Sequence, residues 1–308
     1  MDTSTLSESS GGSMSHMEYS LRNQIVERMN PPVRAKLGQL EHPEDVSNVD
    51  PKIDYNITGP LPANNQLFIG YAFILTKTIK ELQIDPELIN DDVEPYMTPT
   101  IYHKDYIREQ LEKGGGVVLE RFDHASLNTK DKILVIANRP CRTERYIRAI
   151  AANIRAVSHD WVYQCCQRNE ILPLERYLLP PGIDVTGQVV EWAPSTGRCF
   201  NGTRILLYGP SHFCDLWQPI LVQAQCVVVF RFREENETVA GEQELDEAAL
   251  KDEVPTDYVV ATKECPAKIV DSAHRMNIPI VSSEWVIQSL IHGKKLDPKS
   301  CSEFDYQI

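Results

Sequence analysis

The sequence lacks the short patterns that mark most metal sites, nucleotide-binding loops and membrane-spanning helices. Its eight cysteines include no Cys-x-x-Cys pair, no glycine-rich phosphate loop follows a strand, and no apolar run approaches the length of a bilayer-spanning helix. Cysteines scattered in this way are typical of free thiols in a reducing compartment. We therefore predict a protein that is not an enzyme, holds no metal, needs no cofactor and has no membrane partner.

Positive charge is also scarce. The formal net charge is −13 and the isoelectric point is near 5.1. A protein that wraps nucleic acid usually carries an excess of lysine and arginine, because it must neutralise the phosphates that it contacts. Direct DNA binding is therefore disfavoured as a main activity, although net charge does not exclude one small basic pocket.

Composition divides the chain into four parts. Residues 1–63 are rich in Ser, Gly, Asp, Asn and Pro, which predicts a flexible tail and linker. Residues 64–180 and residues 200–308 each carry the apolar patterns of buried strands and amphipathic helices, and residues 181–199 are predicted to link them. Each patterned part is long enough to bury a core of its own.

The first patterned part has the element order β-α-β-β-α-β-α. Residues 67–76 are continuously apolar, which predicts a strand covered on both faces. A predicted helix over residues 104–113 ends at three glycines, and residues 133–137 form another buried strand. An amphipathic helix over residues 142–153 precedes a short strand at residues 156–158 and a last helix. This order is typical of an α/β domain.

The same pattern occurs a second time. Residues 133–172 align with residues 257–296 without a gap, and twelve of the forty aligned positions are identical. A repeat of this length predicts two duplicated domains rather than the short units of a solenoid. The identical residues in the first copy are Val135, Ala137, Cys141, Ala149, Asn153, Ile154, Val157, Ser158, Trp161, Val162, Gln164 and Leu172.

Each copy carries a Ser-x-x-Trp-Val motif at the start of its last helix, with Trp161 in the first and Trp285 in the second. This motif and the Gly-Gly turn after the first helix resemble the signature of the BRCT family. Within that family, residues 70–76, 141–146 and 283–288 resemble the checkpoint mediators of the p53-binding protein 1 family. The resemblance implies two tandem BRCT-type α/β domains, each a four-stranded parallel sheet flanked by helices, after a largely disordered N-terminal tail. It also implies that both tryptophans pack in the cores.

The resemblance further implies a nuclear adaptor of the DNA-damage response and DNA repair. Relatives of this kind bind phosphorylated peptides, so the expected ligand is a phosphoserine motif such as a phosphorylated histone tail. A p53-like transcription factor is allowed as another partner. Two alternatives stay open: a phosphate-independent scaffold that binds a folded partner through the surface between the repeats, and a binder of nucleotides or poly(ADP-ribose).

Residues that suit a phosphate follow the first strand of the first copy and begin its second helix. In an open α/β sheet, ligands bind at the carboxyl ends of the strands where the strand order reverses, here between the first and third strands. The Thr76 hydroxyl, the Lys77 backbone N–H and a helix start that carries Arg142, Thr143 and Arg145 should therefore converge. Helix N-termini present free N–H groups to anions, and an arginine adds charge-assisted hydrogen bonds.

The resemblance assigns roles to these residues. Thr76, Lys77 and Arg145 would hold the phosphate, and Arg142 and Thr143 would contact the peptide. Arg145 departs from the lysine that is usual there, which keeps the charge and changes its geometry. Arg142 matches the family arginine that contacts the peptide main chain or terminal carboxylate downstream of the phosphate.

The second copy lacks this set of residues. At the matching positions it has Tyr208, Gly209, Pro266 and Ile269. One phosphate site, in the first copy, is therefore predicted. The loop after the first strand of the second copy is expected to line the groove between the copies, with Phe213 as a peptide contact.

Overall fold

Most of the sequence folds into two α/β repeats joined by a short linker. The structure, a computed structural model, describes residues 53–78, 100–120, 122, 132–232 and 256–307. Residues 1–52 of the predicted tail lie outside these ranges. Within the described ranges, no helix has the length and apolar character needed to cross a bilayer.

The first repeat is a sheet with helices on both faces. Phe73 and Leu75 of the first strand share a core with two helices, whereas Ile74 between them packs with a third helix on the other face. The elements, after a short helix α1 (Tyr55–Thr58), are β1 (Tyr71–Leu75), α2 (Lys104–Lys113), β2 (Val117–Val118), β3 (Lys132–Ala137), α3 (Glu144–Ala151), β4 (Ala156–Ser158), α4 (Asp160–Arg168) and β5 (Leu178–Leu179).

The strand order of this sheet is β2-β1-β3-β4-β5. Strands β1 to β4 are parallel, as predicted, and the order reverses between β1 and β3. The sequence did not predict β5, which is antiparallel to β4. It forms because the chain returns along β4 after α4, where the Ser158 N–H donates to the Tyr177 carbonyl at 2.7 Å.

Strand β1 is shorter than its apolar run suggests. The predicted strand over residues 67–76 begins only at Tyr71, because residues 65–70 form a turn. The Phe68 N–H donates to the Gly114 carbonyl at 2.7 Å, and Gly70 has a φ of 79°. A residue with a side chain rarely adopts that backbone conformation, which explains the glycine.

The second repeat has the same arrangement of four parallel strands, without a counterpart of β5 among the described residues. Its first and third strands lie side by side at the centre of the sheet, as in the first repeat. The linker before it contains a short antiparallel pair. The linker strands are β6 (Gly182–Ile183) and β7 (Val189–Val190), and the repeat contains β8 (Arg204–Tyr208), α5 (Ser211–Gln223), β9 (Val228–Phe232), β10 (Tyr258–Ala261), α6 (Ala267–Arg275), β11 (Ile280–Val281), α7 (Ser283–His292) and a 3-10 turn (Ser302–Phe304).

Residues that align between the repeats have the same structural roles. Trp161 and Trp285 are fully buried, and their indole N–H groups donate at 2.9 Å to the Leu172 and Leu296 carbonyls. Burial of an aromatic with a satisfied N–H is the core role that the resemblance implied.

A second aligned pair ends a helix. Asn153 and Asn277 both have a φ of 56° just after α3 and α6. Asparagine tolerates this left-handed conformation better than most residues with a side chain. The identity of these positions therefore follows from the backbone turn that ends each helix.

The two repeats share one apolar cluster. Helix α3 of the first repeat packs against α5 and α7 of the second. Tyr146 and Ile150 of α3 belong to the same cluster as Trp217 of α5 and Leu290 of α7. The sequence predicted one apolar face for α3, whereas five of its eight residues are buried, because it contacts its own sheet and the second repeat.

The chain before β1 also packs on the first repeat. Residues up to 63 were predicted to be flexible linker, but Thr58 is buried, and the Gln110 side chain donates to its carbonyl at 2.8 Å. The Tyr106 hydroxyl donates to the Gly59 carbonyl, also at 2.8 Å. Side chains of α2 thus satisfy the backbone of this segment, and such tertiary contacts leave no local sequence pattern.

Candidate functional site

The carboxyl end of β1 meets the start of α3. The hydroxyl oxygens of Thr76 and Thr143 are 2.7 Å apart, and both residues are buried, with 6% and 5% of their surface exposed. Thr143 is the N-cap of α3, and its Oγ1 accepts a hydrogen bond from the Tyr146 N–H at 3.3 Å. The predicted convergence of Thr76 and the helix start is therefore present. The Thr143 hydroxyl, however, already contacts the Thr76 hydroxyl and the Tyr146 N–H, so its hydrogen bonds are made inside the protein rather than to a peptide.

The backbone N–H of Lys77 points toward the same edge of β1 as the Leu75 carbonyl. The N–H groups of Thr76 and Thr78 donate toward the β3 side, to the Ile136 carbonyl at 3.1 Å and to Asn138 Oδ1 at 3.1 Å. Successive backbone groups of an extended chain alternate in direction, so the Lys77 N–H points the opposite way. It has no hydrogen-bond partner among the described residues.

Arg145 extends from the first turn of α3 across the end of β1. Its guanidinium donates to the Leu75 carbonyl and to the Glu120 carbonyl, both at 2.9 Å. These contacts put the cation one residue from Thr76 and on the edge to which the Lys77 N–H points. A guanidinium has five N–H donors, so donors remain for an anion. The structure thus brings the three predicted phosphate residues together.

Arg142 contacts the second repeat. Its guanidinium forms two hydrogen bonds with the carboxylate of Glu284, the longer at 2.9 Å. The Glu284 side chain is 1% exposed and that of Arg142 is 22% exposed. Gln288 Nε2 donates to Glu284 Oε1 at 2.7 Å, which supports the same carboxylate. Arg142 was predicted as a peptide contact, and the structure already uses two of its donors between the repeats.

Phe213 lies in a helix rather than in the predicted loop. Helix α5 begins at Ser211, after Pro210 as its N-cap, and packs on α3. The Phe213 ring is half-buried and lies 6.2 Å from the Trp217 ring centre. Its Cδ1 also lies where a side chain on Gly209 would begin. The loop prediction was wrong because residues 211–214 form the first turn of α5, whose buried face begins at Cys214.

The matching positions of the second repeat are apolar. Ile269 is fully buried and Tyr208 is 6% exposed, and both belong to the cluster that fills one side of this sheet. Pro266, which aligns with Arg142, is the N-cap of α6, and Ala267 aligns with Thr143. These residues give an anion neither a cation nor a hydroxyl from the helix start.

Sequence reasoning missed two residues that support the site. The Tyr102 hydroxyl donates at 3.3 Å to the Ile136 carbonyl, which also accepts from Thr76, and burial raises the pKa of Tyr102 far above its usual range. Glu284 could have been noticed, since it aligns with Asp160 at the start of the last helix, where acidic residues are favoured. Its contact with Arg142 has no sequence signal.

Charges cluster beside the site. Arg108 forms an ion pair with the exposed Glu120 side chain, and its hydrogen bond holds the pKa of Glu120 below the usual value. Burial, followed by the nearby guanidiniums of Arg145 and Arg108, lowers the pKa of Lys104. Three cations, Lys104, Arg108 and Arg145, therefore lie near one another beside the carboxyl end of β1. The described residues contain no group of His, Cys, Asp and Glu suited to a metal ion.

The fold and the site together define a tandem α/β interaction module with a cationic site at the strand-order reversal of its first repeat. Residues 66–178 match the family model described as "BRCT domain", and residues 198–308 match the one described as "BRCA1 C Terminus (BRCT) domain". The chain therefore belongs to the BRCT family and carries two BRCT domains in tandem. BRCT domains are in general protein-interaction modules. The resemblance to the p53-binding protein 1 family stays a prediction from the sequence motifs.

Solved BRCT structures are similar to this chain. Yeast Rtt107p, solved in complex with a phosphorylated histone, is 14% identical; the match covers 80% of this chain and 96% of that one, with a TM-score of 0.47. The BRCT5-BRCT6 domains of S. pombe Brc1 are 17% identical, with 73% and 93% covered and a TM-score of 0.45. The conclusion on the family depends on the family models, because both identities are low.

Proposed function

We propose that this chain is a nuclear phosphopeptide-binding adaptor of the DNA-damage response that recognises a phosphoserine motif through its first BRCT repeat. The phosphate binds at Thr76, the Lys77 backbone N–H and Arg145. The observation that carries this proposal is the position of the Arg145 guanidinium, which donates to the Leu75 carbonyl immediately before Thr76. A hydroxyl, an N–H without a partner among the described residues and a cation beside one strand end are the donors that a phosphate requires.

The contact between the two threonine hydroxyls is compatible with this assignment. Thr143 Oγ1 accepts from the Tyr146 N–H, and its own proton can be donated to Thr76 Oγ1 at 2.7 Å or to Cys141 Sγ at 3.5 Å, of which we take the shorter contact. The Thr76 hydroxyl then accepts from Thr143 and keeps its proton for an outside acceptor. A phosphate oxygen is such an acceptor. Thr143 is therefore a positioning residue, and Thr76 is the residue that touches the ligand.

The peptide then runs from the end of β1 toward the second repeat. Arg142 lies at the start of α3 and is held by Glu284, so it stands where the two repeats meet. Its remaining N–H donors suit a main-chain carbonyl or a terminal carboxylate downstream of the phosphoserine. Phe213 lies on the adjacent α5 and would contribute only its half-buried ring edge.

A titration tests this function. A phosphorylated histone tail peptide is the first probe, since a phosphorylated histone is the partner in the Rtt107p complex. The unphosphorylated peptide and ADP-ribose are the comparison ligands. We expect binding of the phosphorylated peptide alone, and we expect Thr76→Ala and Arg145→Glu each to weaken it. If both variants bind the phosphopeptide normally, the site is misplaced.

A phosphate-independent scaffold is the second candidate. The linker hairpin exposes Ile183 and Val189, with 38% and 37% of their surfaces open to solvent. Exposed apolar side chains at the junction of two repeats suit a folded partner. Equal binding of the two peptides would favour this candidate, and binding of ADP-ribose alone would favour a nucleotide-type ligand.

A further inference from the structure

Three cations lie near Glu120, next to the proposed phosphate site. Arg108 pairs with the Glu120 side chain, and Arg145 donates to the Glu120 carbonyl at 2.9 Å. Lys104 lies four residues before Arg108 on α2, so the two side chains share one helix face. Lys104 forms no ion pair with any described residue. We call Lys104, Arg108 and Arg145 the cationic rim.

The rim is continuous with the phosphate site. Tyr102, two residues before Lys104, donates to the Ile136 carbonyl at 3.3 Å, and the Thr76 N–H donates to the same carbonyl at 3.1 Å. The start of α2 is therefore fixed against the end of β1. Arg145 belongs to both groups, because its guanidinium connects the Leu75 carbonyl with the Glu120 carbonyl.

The acidic side chains that pair with the rim are exposed. Glu120 is shared, with its side chain 67% exposed, and Glu112 is 3.6 Å from Arg108 and 51% exposed. Exposed pairs of this kind are weak and exchange readily with solvent or with a ligand anion. A ligand carboxylate can therefore replace Glu120 on Arg108.

We propose that the cationic rim binds acidic groups of the ligand that precede the phosphorylated residue, so that the site selects phosphopeptides with acidic residues upstream of the phosphate. The direction follows from the proposed role of Arg142, which pairs with Glu284 of the second repeat and would take the downstream part of the peptide, whereas Arg145 contacts Glu120, the residue that pairs with Arg108 in the first repeat. This inference rests on the proposed phosphate site. It adds a preference for ligand sequence that the phosphate contacts alone do not supply.

Two isomeric peptides test the preference. Both contain one phosphoserine and two aspartates, which precede the phosphoserine in one peptide and follow it in the other. Fluorescence anisotropy gives both affinities and those of the unphosphorylated versions. We expect the upstream-acidic phosphopeptide to bind about three- to fivefold more tightly, the size expected of two exposed charge pairs. The ratio should fall as salt is raised, because exposed charges are screened.

Substitutions in the rim test whether the rim causes the difference in affinity between the two phosphopeptides. The double variant Lys104→Ala with Arg108→Gln should bring the affinity ratio close to one, while its binding of the downstream-acidic phosphopeptide shows that it is folded. Glu120→Gln should raise the ratio, because it removes the carboxylate that competes for Arg108. The matched control is Lys113→Ala. Lys113 is an exposed lysine at the other end of α2, about 13 Å from Lys104 along the helix axis. This variant should leave the ratio unchanged.

The outcomes separate the rim from the phosphate site. A wild-type ratio near one, or a ratio that survives the double variant, overturns the rim while phosphate-dependent binding remains. If neither phosphopeptide binds better than its unphosphorylated version, the proposed function itself is overturned.

Discussion

The hydroxyl oxygens of Thr76 and Thr143 lie 2.7 Å apart, although the two residues belong to different elements of the first repeat. Thr76 directly follows β1 and Thr143 caps α3, and the reversal of strand order between β1 and β3 brings these positions together. The Thr143 hydroxyl caps the helix, and in the proposed function the Thr76 hydroxyl faces a ligand. The relation between these two residues leads to the first prediction.

Thr76→Val should lower the affinity for the phosphopeptide by roughly tenfold to a hundredfold, since a hydrogen bond to a charged group contributes about 1.5–3 kcal/mol. Binding of the unphosphorylated peptide should not change. Isothermal titration calorimetry measures both. The matched control is Thr78→Val, because the Thr78 hydroxyl is buried and has no hydrogen-bond partner among the described residues. Equal losses in the two variants would mean that the Thr76 hydroxyl does not contact the phosphate.

Thr143→Ser should bind the phosphopeptide almost as well as the native protein, whereas Thr143→Val should bind it less tightly. Serine keeps the hydroxyl that caps α3 and that donates to Thr76 in the proposed arrangement, and valine keeps only the shape. Loss of an N-cap also costs about 1 kcal/mol of stability, so urea unfolding must accompany the titration. If valine lowers stability but leaves affinity intact, Thr143 is a cap and does not position Thr76.

Arg145→Lys should retain phosphate-dependent binding, and Arg145→Gln should lose most of it. Lysine supplies the charge, but not the planar group that bridges the Leu75 and Glu120 carbonyls. We expect a loss of a few-fold for lysine and of at least about tenfold for glutamine, since the interaction is charge-assisted. If Arg145→Gln kept its affinity, the charge of Arg145 would not contribute to phosphate binding.

Arg142→Ala should destabilise the protein by about 3 kcal/mol or more, because it leaves the buried Glu284 carboxylate without its cation. Arg142→Ala combined with Glu284→Gln should cost less than the two single variants added together. Equilibrium urea unfolding of all four proteins gives this coupling. Additive losses would show that the ion pair does not hold the repeats together.

Stability should fall as pH drops below about 6.5, and His159 should account for part of the loss. Its ring is fully buried between Tyr102 and Tyr163, at 5.2 Å and 5.3 Å between ring centres, and burial lowers the pKa of His159. Below the ordinary histidine pKa, the unfolded chain therefore binds a proton at His159 that the folded chain does not bind, and this favours unfolding. Above the ordinary histidine pKa, this penalty is absent.

His159→Gln should flatten the dependence of unfolding free energy on pH between about pH 7.5 and pH 5.5, by at most about 1.4 kcal/mol per pH unit for one proton. The exposed His274 provides the control variant, His274→Gln, which should keep the native slope. An unchanged slope in His159→Gln would assign the acid sensitivity to other groups.

Local patterns predicted most of the first repeat. The helix over residues 104–113 and the strand over residues 156–158 have the predicted bounds. The apolar run over residues 67–76 predicted a strand that is too long, because a hydrogen bond to Gly114, distant in sequence, holds Phe68 in a turn. Periodicity reports burial, and it does not distinguish a buried turn from a buried strand.

The candidate site was predictable as a set of residues and not as a geometry. The sequence identified Thr76 and Arg145 because strand ends and helix starts are visible in its pattern. It assigned Thr143 to the ligand, whereas tertiary contacts turn its hydroxyl toward Thr76. It contained no indication that Arg142 would pair with Glu284, since the two belong to different repeats.

The sequence by itself determined the duplication, the α/β class of each repeat and the absence of a phosphate set in the second, because these follow from residue identity and periodicity. Only the tertiary structure decided that the Thr76 and Thr143 hydroxyls contact each other, which arginine pairs with Glu284 between the repeats and which cations lie near Glu120. Those outcomes depend on distances between side chains far apart along the chain. Such distances are fixed by the packing of α3 against two repeats at once.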